Sequence, residues 1–190
     1  MNSQDTTEVN KFLFKNEKKL DPNDWNCTKL GNDIICVPCS WKLKKQDKVY
    51  YFCYLSNNSY NSYFTIIKQD LNSQNIDINK YLKEIYSQLL NDTIEQGEGY
   101  TVKKLIFKNK YAYYCEYYTK FENKSFLTYS MLFEKHDFLY DVALKIEKDS
   151  ASHYYGIFQN ILYNFKVEGN PVFSINDELE KIQVVDLSTL

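Results

Sequence analysis

The sequence predicts an α+β fold in which a central twisted antiparallel sheet of about six to seven strands carries two main helices. Four strand-like segments, 100–107, 111–121, 125–134 and 138–146, follow one another, and very short polar connections join them. Segments joined so closely pair only as antiparallel neighbours. Two amphipathic helical patterns, at 78–91 and 152–167, can cover this four-stranded C-terminal meander.

The N-terminal half adds a strand and a hairpin. A strand at 33–37 ends at Pro38, which has no amide donor to continue a ladder, and we expect Trp41 to plug one end of the core. A second strand at 49–55 is apolar on both faces, which predicts a central position. A polar turn connects it to a third strand at 63–68.

Capping and stop signals delimit the two helices. Asp77 is a candidate N-cap of the first helix, and Asp149 or Ser150 of the second. Gly169 and Pro171 follow the second helix as stop signals. We therefore expect a polar lead-in over residues 1–24, a single domain over 25–168, and an acidic tail or docked short element over 169–190.

Charge and composition limit the partners. All 23 cationic side chains are Lys, and the net charge is −2. Without Arg the chain lacks the planar guanidinium that recognises phosphate and guanine through two hydrogen bonds, so no nucleic-acid partner is expected. No apolar run approaches the roughly 20 residues of a membrane span. The composition predicts a soluble protein from an AT-rich genome, and its oligomeric state stays open. We expect a bacterial source.

The five cysteines are expected to be reduced core residues. Cys36 and Cys39 have the C-x-x-C spacing, but they stand at a strand end with no helix following, so a redox or metal role is not favoured. A disulfide from Cys27 to Cys36 or Cys39 is the alternative for an exported protein. Residues 1–10 contain no signal sequence, which predicts a cytoplasmic protein, or an envelope lipoprotein if a signal has been removed.

The residues of common catalytic and cofactor sites are sparse. His136 and His153 have no companion at metal-ligand spacing, and no Gly-rich phosphate loop occurs. The carboxylates Glu116, Glu134 and Asp141 fall on adjacent strands, where outward carboxylates usually keep a sheet soluble. We expect neither an enzyme nor a bound cofactor or metal.

Tyrosines alternate along both faces of the segment 111–121. One face contains Tyr114, Glu116 and Tyr118, and binding surfaces favour Tyr. We interpret these three residues as a candidate protein-binding surface. The alternative is that a helix or the tail covers them.

The order of elements resembles the PsbP/Mog1/DcrB-like superfamily. The resemblance rests on this order, on Pro38 and Trp41 after the first strand, on the turn and strand start at 109–113, and on the helix end at 163–167. It implies a non-catalytic interaction module of adaptor, chaperone, lipoprotein or toxin-immunity type. The alternative is a carrier of a small hydrophobic ligand, with a cavity beneath the terminal helix.

Overall fold

The computed structural model describes residue 21 and residues 23–46, 51–56, 59–74, 77–93, 99–174 and 177–189. The strands are β1 (Trp25–Leu30), β2 (Asp33–Pro38), β3 (Tyr51–Ser56), β4 (Ser59–Asp70), β5 (Tyr100–Phe107), β6 (Lys110–Phe121), β7 (Lys124–Lys135), β8 (Phe138–Glu147), β9 (Lys166–Val167), β10 (Asn170–Pro171) and β11 (Leu179–Val184). The α-helices are α1 (Leu71–Gln74), α2 (Ile78–Thr93) and α3 (Ala151–Asn164).

The strands form two antiparallel sheets. The larger has seven strands in the order β11-β5-β6-β7-β8-β4-β3, and the smaller has four in the order β1-β2-β9-β10. The predicted α+β class with a central antiparallel sheet is confirmed. No helix among the described residues is long and apolar enough to cross a membrane.

The meander β5-β6-β7-β8 pairs as predicted. Two of its turns contain consecutive non-glycine residues with positive φ, namely Glu122 (48°) with Asn123 (64°) and His136 (50°) with Asp137 (62°). This conformation matches the twist of the flanking strands. It therefore holds the register that places alternate side chains on opposite faces of the sheet.

The smaller sheet differs from the prediction. The sequence predicts a strand at 33–37 and one central sheet, whereas β1 and β2 form a hairpin around Gly31 (φ 64°) and belong to a second, smaller sheet. β2 pairs with β9 through Ile34 and Lys166. β1 was missed because its alternation is mostly polar and it lies largely exposed.

The prediction that the strand at 49–55 is central is wrong. β3 is an edge strand, paired with β4 on one side. On its other side Lys44 exchanges two backbone hydrogen bonds with Phe52, at 2.8 and 2.9 Å. The sequence of β3 is apolar on both faces because Cys53 is buried in the core on one face, while Phe52 and Tyr54 pack edge to face on the other. Residues 49 and 50 lie outside the described part of the chain.

The helices follow their capping signals in part. Asp77 caps α2, since its Oδ1 accepts a hydrogen bond from the Lys80 amide at 2.8 Å. Ser150 precedes α3 but makes no side-chain capping bond. α3 ends at Asn164 rather than 167, because Phe165 turns to extended backbone and Lys166 starts β9.

The C-terminal segment is docked. β11 pairs with β5 and supplies an edge of the larger sheet, and Leu187 is buried against the α2 side of the molecule. Most of the predicted N-terminal lead-in falls on residues 1–20 and 22, which lie outside the described residues.

The two faces of the larger sheet are covered differently. One face, the α3 face, packs against α3 and the β1-β2 hairpin and forms the main core, in which Trp41 is buried 5.7 Å from the ring of Phe64. The other, the α2 face, packs against α2 and Leu187 in a second, smaller core. Alternate residues of β6, such as Tyr114 and Tyr113, belong to the first and second face respectively.

Candidate binding site

α2 covers only part of its face of the sheet. Ile78, Tyr81 and Leu82 of the helix belong to the smaller core with Val102 and Leu132 of the sheet. Beyond this contact, between α2 and the edge strand β3, lies an open depression with a volume of about 400 Å³, which we call the trough. Its described lining residues are Gln46, Phe52, Tyr63, Thr65, Ile67, Tyr81, Ile85, Gln88, Tyr117, Thr119, Thr128, Asp141, Ala143 and Lys145.

Cross-strand register explains the shape of the trough. A row of small side chains crosses its floor and continues toward α2: Thr65, Ala143, Ser130 and Cys115. The next row contains larger side chains around one Thr: Tyr63, Lys145, Thr128 and Tyr117. Residues opposite one another on neighbouring strands lie side by side on one face. Small residues beside large ones therefore leave a hollow.

Aromatic rings form the wall of the trough at the β3 edge. The rings of Phe52 and Tyr63 lie 5.6 Å apart between centroids, and Tyr54 packs edge-on against Phe52 at 4.5 Å. Tyr54 is among the exposed large hydrophobic side chains. Tyr and Phe present a large contact area that loses little conformational entropy on binding. This wall is suited to contact with another molecule.

A buried carboxylate lies at the α2 end of the trough. Asp141 accepts hydrogen bonds from the Tyr81 hydroxyl at 2.9 Å and from Ser130 Oγ at 2.6 Å, one on each carboxylate oxygen. Burial raises the pKa of Asp141, while the bonds from Ser130 and Tyr81 act in the opposite direction. Burial and the nearby Asp141 charge in turn raise the pKa of Tyr81 and Tyr63. Asp141 therefore ties α2 to the sheet.

Lys145 is the cationic side chain among the described lining residues of the trough. Its Nζ lies 5.9 Å from the ring centroid of Tyr63 and 5.3 Å from that of Phe126. The neighbouring acid on the same strand, Glu147, pairs instead with Lys124 at 2.7 Å. The trough thus combines a cation among aromatic rings with an acid whose oxygens are both engaged.

The predicted partner-binding residues lie on the α3 face. Tyr114 is fully buried in the main core, and its hydroxyl donates a hydrogen bond to Glu116. Glu116 and Tyr118 are half-buried, and Lys148 Nζ lies 5.0 Å from the Tyr118 ring. The structure brings the three together on one face, and their role in partner binding stays a prediction. Tyr114 is covered, as the alternative interpretation of these residues expected.

The other carboxylates do not converge with Asp141. Glu116 lies on the α3 face, whereas Glu134 lies on the α2 face and accepts a hydrogen bond from Tyr111 at 3.3 Å. His136 lies in the β7-β8 turn, 3.6 Å from Glu168, and His153 packs against Tyr154. Within the described ranges, no three His, Cys, Asp or Glu side chains are grouped as metal ligands are.

The cysteine prediction needs one correction. Cys27 and Cys36 face each other across the β1-β2 hairpin and form a disulfide, so they are not reduced. Cys53 and Cys115 are buried thiols as expected, whereas Cys39 is an exposed thiol. Burial raises the pKa of Cys53 to about 12 and also raises that of Cys115. High thiol pKa values make both unreactive at neutral pH.

Sequence reasoning missed the wall and floor of the trough. Asp141 and Lys145 lie on the face opposite the main core, and the sequence alone does not connect them with Tyr63 and Thr65. The sequence feature that could have indicated the trough is the alternation along β4 and β8, in which aromatic, hydroxyl and charged residues share the α2 face. Only the pairing of β4 with β8 brings the two patterns together.

Comparisons with known proteins support the fold. No family model matches this chain, and no curated protein sequence matches it. The structure is similar to cyanobacterial PsbP (CyanoP) from Synechocystis sp. PCC 6803, with a TM-score of 0.55, 10% identity, and coverage of 80% of this chain and 97% of that one.

Two further solved structures match more weakly. They are PA94 from Pseudomonas aeruginosa, with a TM-score of 0.41, 14% identity, and coverage of 72% of this chain and 92% of that one, and LpqN, involved in cell envelope biogenesis of Mycobacterium tuberculosis, with a TM-score of 0.43, 15% identity, and coverage of 79% and 90%. At these identities the likeness concerns the fold alone. The chain is therefore similar in fold to cyanobacterial PsbP.

Proposed function

We propose that this protein is a non-catalytic module that binds another protein, and that the trough receives a segment of that partner. The observation that supports this most strongly is the open trough itself, in which the aromatic side chains Phe52, Tyr63 and Tyr117 surround a floor of Thr65 and Ala143. Aromatic residues are enriched at the centres of protein interfaces, where they supply most of the binding energy. A hollow beside them accepts a partner side chain.

The chemistry of the trough favours binding over catalysis. Its carboxylate, Asp141, already accepts a hydrogen bond on each oxygen from Tyr81 and Ser130. A general base must also lie within hydrogen-bond reach of the proton that it removes, and Asp141 is only 7% exposed. In this arrangement the Asp141 carboxylate stabilises the packing of α2 on the sheet, and the surrounding residues provide contact area for a partner.

The alternative function, a carrier with a cavity beneath α3, finds less support. Aromatic rings occupy that interface: Phe158 lies 6.0 Å from Tyr129, and Phe165 lies 6.1 Å from Phe133 and 5.8 Å from Tyr140, measured between ring centroids. Rings at these separations are in direct contact. The trough opens instead on the α2 face of the sheet.

A variant that fills the trough tests the proposal. Ala143→Phe places a ring on the floor, where the hollow rather than a packed neighbour receives it. The control, Ser152→Phe, introduces the same ring at an exposed position of α3. Both variants and the wild type are used to capture partners from cells of the native organism, and bound proteins are quantified by mass spectrometry. Thermal unfolding checks that each variant is folded.

We expect the wild type and Ser152→Phe to retain one stoichiometric partner that folded Ala143→Phe retains at less than about a tenth of that level. Equal retention by all three proteins would place the partner elsewhere on the surface. Capture of no stoichiometric partner by the wild type would contradict the function itself. Phe52→Ala provides a second variant that removes part of the wall without adding volume.

A further inference from the structure

We propose that the trough selects a tyrosine side chain of the partner, whose ring packs against the aromatic wall and whose hydroxyl bonds to the hydroxyls of Thr119 and Thr128. This inference rests on the proposed function and specifies the residue that anchors the partner. Three features of the trough support it: two poorly satisfied hydroxyls, the short distance between them, and the aromatic rings beside them.

Two threonine hydroxyls of the trough lack ordinary hydrogen bonds. Thr119 and Thr128 both line the trough, and Thr128 is 3% exposed. Within the described part of the chain, the enclosed Oγ1 atom of Thr119 has no hydrogen-bond partner, and that of Thr128 has only a weaker interaction with Tyr117. A buried hydroxyl without a good partner costs free energy, and a ligand that supplies the partner recovers it.

The pairing of β6 with β7 brings the two hydroxyls close together. Thr128 stands opposite Tyr117, and Thr119 follows Tyr117 on the same face of β6. Thr119 and Thr128 are therefore diagonal neighbours, a relationship in which the Cα atoms lie about 7–8 Å apart. Rotation about χ1 between staggered positions redirects each hydroxyl. One ligand oxygen placed between the two threonines can therefore bond to both.

A neutral hydroxyl suits this enclosed position better than a charged group. The hydroxyl of a tyrosine accepts a hydrogen bond from one threonine and donates one to the other, because each of the three hydroxyls is both a donor and an acceptor. A carboxylate or an ammonium would lose its hydration between Thr119 and Thr128, and burial of an unpaired charge costs far more than burial of a hydroxyl that is hydrogen-bonded.

The remainder of the hollow suits an aromatic ring. Its volume of about 400 Å³ is near the lower end of the range for ligand pockets. The small floor residues Thr65 and Ala143 leave depth for one ring, and Phe52 and Tyr63, whose centroids lie 5.6 Å apart, offer ring faces beside it. Aromatic rings attract one another at such separations. A phenylalanine would fill the same space but would leave the threonine hydroxyls unsatisfied.

A peptide library displayed on phage tests this preference directly. Peptides selected on the wild type are synthesised with each Tyr retained or replaced by Phe, and their Kd values are measured by fluorescence anisotropy. The proteins compared are the wild type, the double variant Thr119→Val with Thr128→Val, and Thr101→Val. Valine removes the hydroxyl and keeps the branched shape. Thr101 is the matched control, because it is an exposed threonine on the opposite face of the neighbouring strand β5.

We expect the wild type and Thr101→Val to bind the Tyr peptides at least about tenfold more tightly than the Phe versions. The double variant should bind both versions within about twofold. Its Tm should not fall below that of the wild type, because the two hydroxyls that it loses have no ordinary partner in the folded state. Equal binding of Tyr and Phe peptides by the wild type, selection of peptides without Tyr, or an unchanged preference in the double variant would overturn the inference.

Ala143→Phe separates failure of this inference from failure of the proposed function. If Ala143→Phe abolishes binding while the wild type binds Tyr and Phe peptides equally, the trough binds peptides but not through a tyrosine hydroxyl. If Ala143→Phe binds the selected peptides as tightly as the wild type, or if the wild type enriches none, both proposals fail. Displacement by p-cresol at the concentrations at which the peptides bind would contradict the inference and assign the trough to a small phenol instead.

Discussion

The distance between Asp33 Oδ2 in β2 and Lys68 Nζ in β4 is 3.0 Å, and this ion pair joins the smaller sheet to the larger one. Asp33 is 1% exposed and Lys68 19%. The Tyr140 hydroxyl donates a further bond to Oδ2 at 3.1 Å, and the Glu168 amide donates one to Oδ1 at 3.2 Å. One carboxylate thus connects β2, β4, β8 and the β9-β10 turn.

Removal of Asp33 should therefore destabilise the whole fold. Asp33→Ala removes a buried carboxylate from the half-buried Lys68 ammonium, and breaking such a pair costs about 3–5 kcal/mol. Urea unfolding measures the loss. The matched exposed pair is Lys124 with Glu147 at 2.7 Å, where Glu147→Ala should cost less than about 1 kcal/mol. Equal losses at the two sites would show that burial does not strengthen the Asp33 contact.

Asp141 should make stability fall as pH rises. Burial raises the pKa of Asp141 in the folded state above its ordinary value of 3.8. Above about pH 3.8, Asp141 is therefore protonated to a greater extent in the folded state than in the unfolded chain. Stability then falls with rising pH. Asp141→Asn cannot ionise, so the wild type should lose stability relative to this variant as the pH rises above about 3.8. Urea unfolding at several pH values provides the comparison.

Asp186 serves as a control of opposite sign for the same experiment. Hydrogen bonds from the Ser188 side chain and amide lower its pKa, so the wild type should gain stability relative to Asp186→Asn as the pH rises. A wild type that gains relative to Asp141→Asn over the same range would contradict the burial of an ionisable group at Asp141.

The Cys27–Cys36 disulfide should stabilise the smaller sheet. It closes a hairpin with a sequence separation of 9, for which loop-closure entropy predicts about 2.6 kcal/mol. Replacing both residues by Ser should lower Tm by about 5–10 °C, and a reductant should have a similar effect on the wild type. Cys39→Ser should leave Tm unchanged, since Cys39 is an exposed thiol. A drop in Tm with Cys39→Ser alone would indicate that Cys39 takes part in the bond.

The β6-β7 turn offers a stabilising substitution. Glu122 and Asn123 both adopt positive φ, a conformation that Asn-Gly forms with little strain. The double variant Glu122→Asn with Asn123→Gly should raise the free energy of unfolding by about 1 kcal/mol. Asn109→Gly is the control, because Asn109 is not among the residues with positive φ. Equal stabilisation by both variants would attribute the gain to something other than φ.

The sequence predicted the parts of the fold that local patterns determine. Short connections determine the meander, and the Asp77 cap and apolar stripe determine α2. The smaller sheet could not be predicted, because β1 is mostly polar and β9 and β10 have two residues each. β3 was misplaced because its second apolar face lines the trough rather than a buried layer.

The candidate site was harder to predict than the fold for a physical reason. Tyr114 and Tyr117 look alike in the sequence, yet the first lies under α3 and the second lines the trough. Which face a helix covers depends on long-range packing, and period-2 alternation indicates only that two faces exist. The floor formed by Thr65 and Ala143 arises from the pairing of strands that are far apart in the sequence.

Chemical-shift mapping with the captured partner protein tests the central claim most directly. Backbone amide signals of the labelled protein are followed as the unlabelled partner is added. We predict that the largest shifts occur at Phe52, Thr65, Ala143 and Lys145, around the trough. Shifts centred on Glu116 and Tyr118, on the opposite face of the sheet, would contradict the trough as the binding site.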